Sequence, residues 1–405
     1  MTTTPTTPAS PASPSIRSFQ HVAPELRLFS GADSLDSLVR ELKRNGCRRA
    51  MIVCGRSVAA SDAMAGLRGA LGSLLAGECA SVRPNSPVSA VLGVAAELES
   101  RDADGVIAVG GGSAAVTARA ASILVAEKRP PQALCTRRLD SGEFESPRLD
   151  AAKLPQFVIP TTPSNGFVKA GSAIHEDGTG RRLALFDPKT RAKAIFLHPD
   201  FLRTAPAELV RTAGLNTLST TIEALESPKC DPISEAMLLH ALRLTAQYLH
   251  RPAPDDAFAR EGLAVAGVLC GRGTEQGGGG LASVLAHAIG HRAHAHNGLV
   301  NAIVLPHTMR FNEPQTRGSA GRIAQALGLP SPSGASSRQW ETAHAVEALE
   351  SLVAKLGVPR RLRDIGVSKD DLGDVAEAAM TDWFIVRASR KVNAGELLEI
   401  LNAAW

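Results

Sequence analysis

The sequence predicts an α/β domain followed by an all-α domain, and three observations predict it. Between Arg17 and Asp200 short apolar runs alternate with amphipathic segments, the rhythm of a parallel sheet with helices on both faces. After Pro199-Asp200 helical periodicity dominates, as over residues 233–249, and strand-like runs become rare. Within the first half, Gly105-Val106-Ile107-Ala108-Val109 breaks into Gly110-Gly111-Gly112-Ser113 and resumes as a helix. Glycines at such a turn let a diphosphate reach backbone N–H groups that the helix cannot use, and the helix dipole favours the negative charge. Alone, the turn reads equally well as an ordinary strand-to-helix connection.

Taken in order, residues 1–16 are rich in Pro, Thr, Ser and Ala without an apolar stretch, which predicts a disordered tail, neither a secretory signal nor an anchor. Residues 17–200 form the α/β domain. Leu35, Leu38, Val39 and Leu42 share one helical face, and Ala50-Met51-Ile52-Val53-Cys54 is a buried strand ended by Gly55. A helix over 88–100, a strand over 106–109, a helix over 114–127 and a strand over 157–159 stopped by Pro160 continue the alternation. Residues 201–405 form the helical domain, in which GRGTEQGGGG at 271–280 reads as a flexible break between two helices.

A chain of 405 residues exceeds the usual size of one hydrophobic core, which supports two domains, and 44% apolar residues suffice to fill them. The net charge of +4 comes from 44 basic and 40 acidic residues that are well mixed, so no basic stripe points to nucleic acid. Six cysteines lie far apart without a CxxC pair, as expected of reduced thiols in a cytoplasmic protein. No run of 18 apolar residues occurs, so no membrane-spanning helix is expected.

The glycine turn, Pro160-Thr161-Thr162, residues 180–202, Gly214-Leu215-Asn216 with Ile222-Glu223-Ala224, and residues 301–312 stand in a characteristic order and spacing. Together they resemble the iron-containing (group III) alcohol dehydrogenase superfamily, which shares the dehydroquinate synthase fold. The likeness runs from about residue 20 to 405, and the ending is most similar to the maleylacetate reductase branch. It implies an N-terminal nucleotide-binding α/β domain, a C-terminal helical domain and an NAD(P)-dependent site in the cleft between them; a homodimer is expected.

The resemblance places a divalent metal on an Asp, a His four residues later, and two further His. The matching positions are Asn216, Thr220, Ser283 and Asn297, neutral groups that cannot repay the dehydration of such an ion, so no metal is expected. His287, His291, His294 and His296 offer spacings that could share an ion, but His294 and His296 read more simply as solvated loop residues. A family Gly-Ser-Glu is replaced by Gly166-Phe167-Val168, and an Asp and a Lys after the glycine turn by Val116 and Arg119.

Carried over residue by residue, Gly110, Gly111, Gly112 and Ser113 form the diphosphate cradle. Thr161 and Thr162 end a strand, where their hydroxyls reach a nicotinamide or ribose or merely close the strand. Arg182 takes the place of a family lysine near the cofactor, or is surface charge. Gly55-Arg56-Ser57 stands where NAD-specific relatives carry an Asp, and a cation with a hydroxyl tolerates a 2′-phosphate, so NADP is slightly preferred to NAD. Among catalytic candidates His287 matches the family pattern and is the best proton donor in the absence of a metal, against the usual structural role of a lone histidine. Lys169 and His291 are secondary candidates, and His307 is either behind the site or packed.

The leading expectation is therefore a metal-independent NAD(P)-dependent oxidoreductase interconverting an alcohol and a carbonyl of a small molecule or peptide. A tailoring role, such as oxidation of a β-hydroxy acid or a peptide threonine, fits the rebuilt pocket. The alternatives are maleylacetate reductase-like reduction of a keto acid, a lyase or cyclase on the same scaffold, and a partner subunit that binds nucleotide without turnover.

Overall fold

Six strands form one parallel sheet: β1 (Arg27–Ser30), β2 (Ala50–Cys54), β3 (Leu75–Cys79), β4 (Gly105–Gly110), β5 (Gln156–Pro160) and β6 (Ala192–Leu197), in the order β1-β6-β5-β4-β2-β3. This computed structural model describes residues 18–405 except 252, 254, 255, 294, 317 and 331–337, and the side chains of His291 and Arg338 also fall outside the described set. The predicted tail, residues 1–16, lies outside the described residues.

The central strands β2, β4 and β5 are buried along their whole length, because helices cover both faces. Alternation of side chains divides them between two cores. Met51, Val53, Val106 and Ala108 enter one core with helices α3 (Val88–Ser100) and α4 (Gly112–Glu127); Ile52, Ile107, Phe157 and Ile159 enter the other with α1 (Ser34–Arg44) and α2 (Ala63–Leu71). The order reverses between β2 and β4, so the turns after these two strands flank the crevice in which α/β sheets of this kind bind ligands.

Strands β1, β3 and β6 and an antiparallel hairpin, Gly171–His175 with Arg182–Phe186, were not distinguished by the sequence patterns. The edge strands β1 and β3 are short and half-exposed, and Lys193 interrupts the apolar run of β6. They lack the long apolar runs of the sheet centre.

From Pro199 onward the described chain is helical. Helices α5 (Ala207–Glu226), α6 (Pro232–Tyr248), α7 (Ala257–Gly273), α8 (Leu281–Arg292) and α9 (Asn297–Asn312) surround a third core that includes Leu215, Ile222, Leu285 and Val304. Helix α7 joins the two halves by placing Ala264 and Val268 in a sheet-side core. Added Cβ atoms on Gly267 and Gly271 would stand 2.6 Å from Ser164 N and 2.5 Å from Asn165 O, so these glycines let the helix lie directly on the loop after β5.

The glycine-rich stretch at 271–280 corrects the expectation of a flexible break. Gly271 and Gly273 belong to α7, and Gly277, Gly278, Gly279 and Gly280 are buried against Ser227, Thr274, Phe384 and Glu223. Glycine serves close approach here rather than looseness.

Gly298, on α9, makes the tightest such approach: a Cβ there would collide with Thr212 O of α5. Gly298→Ala is expected to separate the two helices and cost about 2 kcal/mol or more, read as a lower urea midpoint at unchanged slope.

Candidate active site

Strand β4 ends on Gly110 at φ +146°, a conformation that L side chains rarely adopt, and α4 starts with no side chain capping its first turn. Ala114 N donates to Gly111 O at 3.0 Å, while the N–H groups of Gly112 and Ser113 ahead of it have no side-chain cap. A Cβ on Gly111 would stand 2.9 Å from Thr162 Oγ1, and one on Gly112 would stand 3.1 Å from Ser164 Oγ. Thr161 N donates to Gly110 O at 3.0 Å, and both Thr161 and Thr162 are buried. The structure thus brings together the glycine turn and the two threonines. Uncapped donors at a helix N-terminus, in a cradle that a Cβ would fill, fit a nucleotide diphosphate. Gly55 bridges Ser81 at the end of β2, and Arg56 and Ser57 beyond it are exposed at the neighbouring turn.

His287 projects from α8, and its Nδ1 lies 2.9 Å from Asp382 Oδ2. An ionised carboxylate only accepts hydrogen bonds, so Nδ1 carries the proton of the neutral ring and Nε2 keeps its lone pair. The same Oδ2 accepts Arg182 Nη1 at 2.6 Å, while Oδ1 accepts Phe384 N at 2.7 Å. Arg182 lies over the Trp383 ring at 4.2 Å, and the Phe384 ring is 5.4 Å from the imidazole. Burial lowers the His287 pKa and the Arg182 charge adds to this, with Asp382 opposing. Burial raises the Asp382 pKa, but His287 and Arg182 outweigh it and hold the carboxyl below its ordinary value.

Asp382 and its aromatic neighbours were missed in the sequence, where TDWF matches no motif. The available signal was an acid beside two adjacent aromatics in a chain only 4% aromatic.

Lys169 Nζ lies 3.3 Å from Glu275 Oε1, and Arg191 grips both oxygens of that carboxylate at 3.0 and 2.9 Å. Burial is the main cause that lowers the Lys169 pKa to about 8. Arg119, fully buried on α4, donates to Gly171 O at 2.6 Å and Gly166 O at 2.8 Å, bracing the loop that carries Lys169. Glu275 also escaped the sequence reading, inside the supposed flexible break.

The four positions matched to metal ligands are engaged elsewhere or dispersed. Asn216 Oδ1 accepts Asn301 Nδ2 at 3.0 Å, and Thr220 Oγ1 donates to Asn216 O at 2.8 Å. Ser283 gives its hydroxyl and its amide to Glu223 at 2.5 and 2.9 Å; burial raises that carboxyl's pKa to about 7 despite both bonds. Asn297 is exposed at the start of α9. This neutral donor set does not fit Fe²⁺ or Zn²⁺, and among the described residues no three His, Cys, Asp or Glu gather as a metal site. His291 lies on α8 with its side chain outside the described set, and His294 lies outside the described residues. His296 is exposed before α9, and His307 is half-buried within it, its pKa lowered by burial first and by Arg310 and Arg361.

Among the described residues no helix is long and apolar enough to cross a membrane. Residues 24–199 match the model "Iron-containing alcohol dehydrogenase", and residues 210–405 match "Fe-containing alcohol dehydrogenase family, C-terminal". The chain is 29% identical over 385 residues to the lactaldehyde reductase of Escherichia coli (strain K12), covering 93% of this chain and 97% of that protein. It is 28% identical over 386 residues to maleylacetate reductase 2 of Cupriavidus pinatubonensis (strain JMP 134), covering 94% of each. In fold it is similar to a 1,3-propanediol oxidoreductase, with TM-score 0.88 and 23% identity over 96% of this chain and 100% of that one. It is also similar to the maleylacetate reductase from Agrobacterium tumefaciens, with TM-score 0.76 and 24% identity over 96% and 99%. Both halves of the chain thus belong to the iron-containing alcohol dehydrogenase family, and the protein is an NAD(P)-dependent oxidoreductase of the alcohol dehydrogenase/reductase type.

Proposed function

We propose that this oxidoreductase works without a metal, prefers NADP slightly to NAD, and uses His287 as its proton-transfer group. The observation that carries this reading is the Arg182–Asp382–His287 line of hydrogen bonds beside a set of metal-ligand positions filled by neutral side chains. Gly110, Gly111, Gly112 and Ser113 would hold the diphosphate, Thr161 and Thr162 would flank the nicotinamide side, and Arg56 with Ser57 would receive a 2′-phosphate. When bound, the nicotinamide accepts a hydride from an alcohol carbon or returns it to a carbonyl carbon.

His287 Nε2 takes the hydroxyl proton during oxidation and gives it back to the oxygen during reduction. Asp382 orients the ring through Nδ1 and compensates the imidazolium that forms, while Arg182 keeps Asp382 ionised. The depressed His287 pKa leaves the ring neutral near pH 7, the state that a base for alcohol oxidation requires. Lys169, held by Glu275, is a second polar group of the same cleft. A tailoring dehydrogenase acting on a β-hydroxy acid or a peptide threonine remains the substrate reading. Six free cysteines agree with a cytoplasmic location, and a homodimer is the expected assembly.

Gly111→Val is expected to weaken NADPH binding by about 2 kcal/mol or more, because the side chain would strike Thr162 and close the cradle. Fluorescence titration measures it, and unchanged affinity would remove the cradle assignment. His287→Ala is expected to slow turnover about 10²-fold with cofactor affinity preserved. For the native protein, kcat/KM of alcohol oxidation should rise with pH through a limb below the ordinary imidazole value of 6.5, because protonation removes the base. Asp382→Asn removes the charge that supports the imidazolium, so it should move that limb to still lower pH and reduce kcat; an unmoved limb would exclude the pairing. Finally, exhaustive EDTA treatment should leave activity intact, and loss of activity restored by Fe²⁺ or Zn²⁺ would refute metal independence.

A further inference from the structure

Arg387 and His287 both neighbour the Phe384 ring. Its guanidinium carbon is 5.1 Å from the Phe384 ring centroid, and that ring is 5.4 Å from the imidazole. Arg387 Nη1 donates to Gly278 O at 3.1 Å, which fixes the guanidinium against the glycine strap beside the site, and the residue is open to solvent. Among the described residues no carboxylate comes within 4 Å of it.

The surrounding charges do not neutralise it. Glu275, an acid whose charge acts on it, already bonds Lys169 and both nitrogens of the Arg191 fork. Asp382 is likewise committed to Arg182 and His287. Lys169 and Arg191 thus take up the Glu275 carboxylate between them, and Arg387 is left without an ion-pair partner among the described residues. A guanidinium packed on the Phe384 ring and held on one side by a carbonyl, with donors remaining, is a receptor for a planar anion.

We infer that Arg387 binds a carboxylate on the substrate, so that the enzyme acts on hydroxy or oxo acids whose reacting carbon lies at His287 and whose anionic end lies beyond Phe384. Only the placement of the reacting carbon rests on the role proposed above for His287. Phe384 then acts as a spacer that sets the distance between the two ends of the substrate. Lys169, bound to Glu275, adds long-range attraction without competing for the same site.

The test is equilibrium binding of butanoate and of butanamide, an uncharged amide of similar shape, to the protein with NADP⁺ present, followed by calorimetry. The native protein should bind butanoate about tenfold or more tighter, the preference of one charge-assisted hydrogen-bonded pair, and Arg387→Met should abolish that preference. Arg387→Lys, which keeps the charge but not the fork, should retain part of it. Thermal unfolding confirms that each variant is folded. Equal binding of the two probes by the native protein, or a preference that survives Arg387→Met, overturns the inference. Loss of NADP⁺ affinity in Arg387→Met with the carboxylate preference intact also overturns it, because the cation would then serve a cofactor phosphate. Carboxylate preference in a protein whose His287→Ala variant is fully active would uphold the anion site and sink the role proposed for His287 instead.

Discussion

The carboxylate of Asp382 is the point on which the proposed site depends. It is held by a guanidinium from the hairpin of the sheet half and by an imidazole from a helix of the other half, and both contact one oxygen. A buried carboxylate without partners would be protonated or expelled, so each partner stabilises the charge that the other requires. Removing either leaves a buried, half-compensated ion. The ring orientation of His287, the stacking of Arg182 on Trp383 and the position of Phe384 all follow from this one anchor.

Close backbone approach is the second constraint. Gly267 and Gly271 bring α7 onto the loop after β5, and Gly279, at φ +87°, brings the strap before α8 against Phe384. From the opposite side Arg119 ties that loop to the helix that follows the glycine turn. The cradle, the Lys169 loop and the helical half thus form one connected structure. A side chain at any of these glycines would separate elements whose polar groups face one another across the cleft.

The cleft shows how a site can change its charge while its frame persists. At three of the positions matched to metal ligands, the Asn216 amide bonds Asn301, the Thr220 hydroxyl bonds Asn216 O and Ser283 bonds Glu223. Val168 replaces the acid expected in the loop, and Glu275 supplies a carboxylate from the facing helical half to Lys169 and Arg191. The cations Lys169 and Arg191 stand on the wall of the cleft that also carries Arg387.

Much of the fold was legible in the sequence because β2, β4 and β5 are buried on both faces and therefore read as unbroken apolar runs ended by Gly or Pro. The glycine turn was legible for the same local reason, since its conformation depends on its own residues. His287 could be singled out only through family resemblance, and Asp382 had only two neighbouring aromatics to mark it, for its meaning lies in partners 95 and 200 residues away. Glu275 and the buried strap at 277–280 were misread because glycine-rich sequence states only what the backbone can do, whereas neighbouring atoms decide whether it is loose or packed. The edge strands lacked apolar runs, and their pairing with the sheet became evident only in three dimensions. Short-range patterning determined the layers of this protein; long-range electrostatics, which leaves no periodic trace in a sequence, decided its candidate site.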